Sequence, residues 1–234
     1  VNLAVENLKT VFSTRRAKQY VETGIPNRLA GTLKGVEVEL LQGNSDFALV
    51  KNYKLMRYVG RRSIAKYGCA GCHDIPSFEG SKPIGTGLAD WGRKETTKLA
   101  FEHIAQYIEK HQLGDDSSGH EGGHHELDPA ELDEPDGYFI QSLLSHGREG
   151  FLRQKLLRPR SYDFEKTANK GYDERLRMPQ FPWGAQAEHD ARGRAAAADG
   201  NADEIAKQAR VDGRNREIEE IMTFVLGLVS EPPN

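Results

Sequence analysis

The chain has 234 residues, of which 37% are hydrophobic and 29% charged, with a formal net charge of −3. That size fits one large domain or a compact domain with added segments. The near-balanced charge, with no Lys- or Arg-rich stripe, excludes a nucleic-acid footprint. No run of about 18 apolar residues is present, so no transmembrane segment is expected in this chain.

The first residues, 1–22, carry Leu3, Val5, Leu8, Val11, Phe12 and Tyr20 between polar and basic positions, which predicts a helix. Gly24, Pro26, Gly31 and Gly35 then interrupt the pattern. Val36-Glu37-Val38-Glu39-Leu40 alternates apolar with polar, and Phe47 to Val50 follows the turn Gly43-Asn44-Ser45-Asp46. A short β-hairpin is the expectation there. Asn52 to Gly68 predicts a helix running into the cysteines. Asp74 to Gly92 is rich in glycine and proline and predicts a loop. Lys94 to Leu113 predicts an amphipathic helix, with Phe101, Ile104, Ala105 and Ile108 on one face.

Residues 114–128 are polar and of low complexity and predict a mobile insertion; His120, His124 and His125 in it are candidate metal ligands or plain solvated residues. Asp136 to Ser145 and Gly150 to Leu157 predict short helices, and Pro159 to Gly184 an extended loop. Ala185 to Arg214 predicts a surface helix. Glu217 to Val229 predicts the clearest helix of the chain, with Ile218, Ile221, Met222, Val225, Leu226 and Val229 as its apolar stripe. No internal repeat occurs. Expected boundaries are an N-terminal extension at 1–51, a main domain at 52–230, and the start of a linker at 231–234. The Val1 start, without a signal peptide, reads as a trimmed or excised chain.

Two cysteines are present, and they stand two residues apart in Cys69-Ala70-Gly71-Cys72-His73. C-x-x-C-H is the attachment signature of c-type haem. Two thiols on one turn can each add to a haem vinyl group, and the next residue then supplies an imidazole to the iron. A thioredoxin-type dithiol would sit at a helix N-terminus after a buried strand, whereas these cysteines follow a helix. A zinc site would need two more ligands at suitable spacing.

The surrounding residues carry a resemblance. Gly60-Arg61-Arg62-Ser63-Ile64-Ala65-Lys66-Tyr67-Gly68-Cys69 resembles the N-terminal helix of class I (monohaem) cytochromes c, and Glu217–Val229 resembles their C-terminal helix. It covers roughly residues 52–113 and 172–229. The resemblance implies a mainly α fold, a cytochrome c-like helical domain around one covalent haem c. It also implies a close crossing of the two helices, with Gly60 and Phe224 as the matching pair.

The same resemblance implies that a methionine in an extended loop before the last helix lies opposite His73, and Met178-Pro179 stands in such a loop. His103, His111, His146 and His189 remain the rivals for that sixth position. Pro83, in Lys82-Pro83-Ile84-Gly85-Thr86, is the candidate for the carbonyl that accepts the second ring N–H of His73; Thr86 is the second candidate. Trp91, Arg93, Arg175 and Arg177 are candidate donors to anionic haem propionates. Ile84, Leu88, Leu99, Phe101, Leu176 and Phe181 are candidate pocket residues.

The expected function is single-electron transfer, with redox proteins as partners. The alternatives are an electron-transfer subunit or domain of a larger redox enzyme or membrane-bound respiratory complex, and a haem enzyme or gas sensor with an open iron position. The resemblance implies a periplasmic or equivalent location outside the cytoplasmic membrane.

Overall fold

The structure, a computed structural model, describes residues 1–33, 35–78, 84–111, 136–163, 171, 178–196 and 201–229. It is mainly α-helical, as expected, and no described helix is long and apolar enough to cross a membrane. The helices are α1 (Asn2–Leu8), α2 (Thr14–Thr23), α3 (Val36–Leu41), α4 (Phe47–Tyr67), α5 (Ile104–His111), α6 (Asp136–Leu144), α7 (Arg148–Leu157), α8 (Ala185–Ala196) and α9 (Ala202–Leu226). They fall into two compact units. One comprises Val1–Arg93 and Trp183–Asn234, the other Lys94–Pro182.

The β-hairpin expected at 36–50 is not formed. Val36–Leu41 is helix α3, and Phe47 to Val50 is the first turn of α4. Alternation suggested a strand, but Glu37, Leu40 and Leu41 lie three and four residues apart and are the buried face of α3. A two-stranded hairpin of this length is marginal by itself, while the helix places the Glu37 carboxylate against two arginines. Only one isolated bridge, Ile25 to Gln42, pairs extended backbone among the described residues.

The expected helix over 1–22 is broken in two. Thr10 Oγ1 donates to the Asn7 carbonyl, and Ser13 takes an extended conformation ahead of α2. The break lets α1 and α2 fold onto α4. Ala4, Val5, Leu8, Ala17, Tyr20, Val21, Ile25 and Leu41 share one apolar cluster with Leu55, Tyr58 and Val59 of α4.

Glu37 reinforces this seam. It is 5% exposed, and its carboxylate lies 2.9 Å from Arg61 Nη1 and 2.9 Å from Arg62 Nε. Arg61 also donates to the Ser77 carbonyl at 3.2 Å and covers the Phe78 ring. Glu37→Ala leaves two half-buried guanidinium groups without their counter-charge. We expect it to lower unfolding stability by about 2 kcal/mol, read as a shift of the denaturant midpoint. An unchanged midpoint would mean the seam is held by apolar burial alone.

Helix α9 packs on both α4 and α8. At the α4 crossing, a Cβ on Gly60 would run into the Glu220 carbonyl and reach 3.0 Å from Phe224 Cβ. The expected pairing of Gly60 with Phe224 is therefore present. The apolar stripe expected from Glu217 onward is the last part of the longer α9 as far as Leu226; Val229, also expected on it, lies past the end of the helix and is exposed. The surface helix expected over Ala185 to Arg214 is instead α8 and the first half of α9.

In the second unit, the helix expected from Lys94 forms only at Ile104–His111. Before it, Leu99 and Phe101 are buried from irregular backbone that includes a single tight turn at Thr96–Lys98. Phe101 meets Phe151 edge to face and Phe151 meets Tyr162 at a tilt, with ring centroids 5.2 Å and 4.6 Å apart. The 114–128 insertion, with His120, His124 and His125, lies outside the described residues.

Candidate functional site

Helix α4 ends at Tyr67 because Gly68 takes a left-handed conformation, φ +68°. A left-handed glycine is a common helix stop. The chain then tightens into a 3₁₀ turn at Cys69–Gly71. Three short bonds close it: Gly71 N–H to the Gly68 carbonyl at 2.9 Å, Cys72 N–H to the Cys69 carbonyl at 3.1 Å, and His73 N–H to the same carbonyl at 3.0 Å. Both thiols and the imidazole thus come from one turn at the C-terminal end of a helix.

Burial pushes the Cys69 thiol up to about 11, with the neighbouring Cys72 adding to the rise. Reactive dithiols work the other way, with a thiolate stabilised at a helix N-terminus or beside a cation. At a helix C-terminus the backbone dipole disfavours negative charge. Cys69 is therefore poorly suited to serve as a reactive thiolate. Nor do three or more His, Cys, Asp or Glu side chains converge into a metal-binding group among the described residues.

The loop that follows folds back along the turn. Ile84 and Gly85 donate their N–H groups to the Cys72 carbonyl at 3.0 and 2.7 Å, and Leu88 N–H donates to the Asp74 carbonyl at 2.8 Å. This places the Thr86 carbonyl oxygen 2.8 Å from His73 Nδ1. With the proton on Nδ1, His73 donates to Thr86 and keeps its lone pair on Nε2, the arrangement of a metal-ligating imidazole. Gly85 lies close against the ring: a Cβ there would come within 2.8 Å of His73 Cε1 and 2.9 Å of Nδ1. Of the two carbonyl candidates, Thr86 occupies the position; Pro83 lies outside the described residues.

Trp91 is buried on a short turn, Trp91–Arg93, that is tied to the end of α9 by Gly92 N–H donating to the Leu228 carbonyl at 2.9 Å. Arg93 is exposed. Arg175, Leu176 and Arg177 lie outside the described residues. Met178 is half-buried and belongs to the second unit. Met222 is core, 4% exposed, and Met56 is on the surface of α4. Among the rival histidines, the imidazole of His189 is 85% exposed and His146 stacks on Phe101, centroids 4.5 Å apart. His103 is half-buried in the second unit.

Two groups of residues near the turn were not singled out from sequence. Arg61, held by Glu37, braces the Ser77–Phe78 segment just after the turn. Glu217 accepts from Tyr67 and Lys66, the last two residues of α4. No local pattern marks either set, since each joins residues far apart in the chain. No protein-family model matches the chain, and no curated protein or solved structure matches it either.

Proposed function

We propose that this chain is a monohaem c-type cytochrome that transfers single electrons, with haem attached at Cys69 and Cys72 and iron held between His73 and Met178. The observation that carries the reading is the His73–Thr86 pair. An imidazole next to a C-x-x-C turn is oriented by a backbone carbonyl on one nitrogen, which leaves the other for a metal. The residues present fit the group: two thiols and an imidazole lie on one turn, and Gly85 leaves room for the His73 ring where a Cβ would press on it. Ile84, beside the turn, is an apolar side chain 70% exposed, and a flat porphyrin would shield such a side chain.

Bound haem supplies a one-electron couple, whose potential is set mainly by its axial ligands and their surroundings. The chain's part is to orient His73 through Thr86 and Gly85, to hold both attachment points rigid at the end of α4, and to deliver a methionine. Connectivity permits this delivery. Met178 is five residues before Trp183, so their Cα atoms are separated by at most about 18 Å. Trp183 packs on Tyr67, two residues before Cys69. Were the Met178 thioether to hold the same group as His73, no position would stay open for a substrate, and electron transfer would be favoured over substrate chemistry. The reading brings with it redox-protein partners and a location outside the cytoplasmic membrane.

Denaturation and acid washing of the purified protein, followed by an alkaline pyridine haemochrome spectrum, tests attachment. Haem is expected to stay with the polypeptide, and to be lost from Cys69→Ser/Cys72→Ser. Haem that washes off the parent chain would overturn the reading. The oxidised parent is also expected to show the weak far-red band of a methionine sulfur–iron bond, abolished in Met178→Ala and kept in Met56→Ala. A high-spin resting form that binds carbon monoxide readily would replace the electron carrier with an open-site haem protein.

A further inference from the structure

We propose that Glu217 is a positioning residue: its carboxylate clamps the chain that leaves the Met178 loop onto the helix that bears the haem turn. This rests on the haem reading above. Glu217 stands on α9 with its side chain only 13% exposed. One oxygen, Oε2, accepts from the Tyr67 hydroxyl at 2.8 Å and from the Gly184 N–H at 2.8 Å. The other, Oε1, accepts from Lys66 Nζ at 2.9 Å. Lys66 and Tyr67 are the last two residues of α4, immediately before Gly68 and the Cys69–His73 turn. Gly184 is six residues after Met178.

The geometry around Gly184 explains why this point of the chain is fixed. Its φ is +73°, and a Cβ would collide with the Arg210 carbonyl on α9, so the backbone itself lies on that helix. The buried Trp183 ring packs edge-on against Tyr67, with centroids 4.5 Å apart and an interplanar angle of 65°. Tyr67 is thus gripped on its hydroxyl by Glu217 and on its ring by Trp183. A single carboxylate joins the end of α4, the body of α9 and the start of α8.

Hydrogen bonds to an ionised acceptor are the stronger ones, and three of them converge here. A thioether is a neutral ligand on a flexible side chain, so its hold on iron competes with local opening of the loop that carries it. Such opening draws on the local stability of the loop's anchors, which can be far below that of the whole protein. With Glu217 in place, the downstream end of the Met178 loop is pinned beside the haem turn. Without it, the same loop closes over a longer free segment at greater entropic cost.

The test uses the ferric holoprotein and measures how fast saturating imidazole displaces the methionine sulfur, a rate limited by loop opening. Glu217→Ala is expected to raise this rate by about tenfold or more, since bonds to a charged acceptor are lost. Glu217→Gln keeps a carbonyl acceptor and is expected to fall between. Hydrogen exchange at the Gly184 amide is expected to accelerate in Glu217→Ala. Leu8→Ala, in the distant α1–α4 cluster, provides a variant of lowered global stability, and its imidazole rate is expected to match the parent.

A Glu217→Ala rate equal to that of the parent, or no faster than that of Leu8→Ala at matched stability, overturns the clamp. If Glu217→Ala does not fold, Tyr67→Phe and Lys66→Met carry the same comparison, and unchanged rates in both overturn it. A parent protein with the methionine band and unaltered variants refutes the clamp alone. A parent without that band refutes the ligand assignment and the clamp together.

Discussion

Gly60→Val is expected to destabilise the protein by about 4 kcal/mol, at the severe end of single substitutions. The reason is geometric. Where α4 crosses α9, the Gly60 Cα is so close to its neighbour that a Cβ alone would overlap the Glu220 carbonyl and press on Phe224 Cβ. The obstacle is the backbone of a helix whose residues 218, 221, 222, 224 and 225 are themselves buried, so it cannot rotate away as a side chain can. The helices must separate, and separation uncovers Phe224 and Ile221. Gly31→Ala is the matched control, because a Cβ there meets nothing within 4 Å. Equilibrium unfolding of both variants decides the matter. Equal midpoints would show that the crossing does not hold the fold. Gly60→Ala should lie nearer to Gly60→Val than to the control, since the first carbon already collides.

That crossing was among the features legible in the sequence. A glycine inside a strongly helical segment is unfavourable unless another backbone approaches closely, and the downstream helix offered an aromatic partner. The candidate turn at Cys69–His73 was legible for a simpler reason: its five residues are adjacent, so no long-range contact is needed to find it. The carbonyl opposite His73 was narrowed to Pro83 or Thr86, and the bonds of Ile84 and Gly85 to Cys72 set the register that selects Thr86.

What escaped was whatever depends on a second element. Val36–Leu41 alternates like a strand, yet folds as a helix because the carboxylate of Glu37 meets Arg61 and Arg62 from α4. Glu217 and Glu220 lie off the apolar stripe expected for the end of α9, and nothing in the sequence marks either as buried. Helix α9 is covered from two directions, by α4 and by α8, so one glutamate became a junction and the other a buried acid. Periodicity reports one buried face well and two poorly. The pairing of distant charges leaves no periodic trace at all.

Glu220 shows the consequence in its titration, and Glu220→Gln is expected to stabilise the protein in a strictly pH-dependent way. The residue is 7% exposed, and its Oε2 has no hydrogen-bond partner. Burial raises its carboxyl from the ordinary 4.5 to about 7; Arg216 and the Val1 amino group counter this, and Glu217 and Glu219 add to it. Below about pH 4.5 the folded and unfolded chains both carry the proton, so the residue has no linkage effect. Between about 4.5 and 7 the folded chain holds the proton that the unfolded chain has released, and stability falls as the pH rises. Above about 7 both forms are ionised and the full penalty remains. At about 1.4 kcal/mol for each tenfold change in proton affinity, that penalty has an upper limit of about 3 kcal/mol. Glutamine keeps the shape and removes the charge. Melting curves of the parent and Glu220→Gln should therefore nearly coincide at pH 4.5 and separate progressively to pH 8, with the variant more stable. A difference that does not grow with pH would mean that Glu220 ionises in the folded protein as readily as in water, and that the α4–α9 crossing admits solvent.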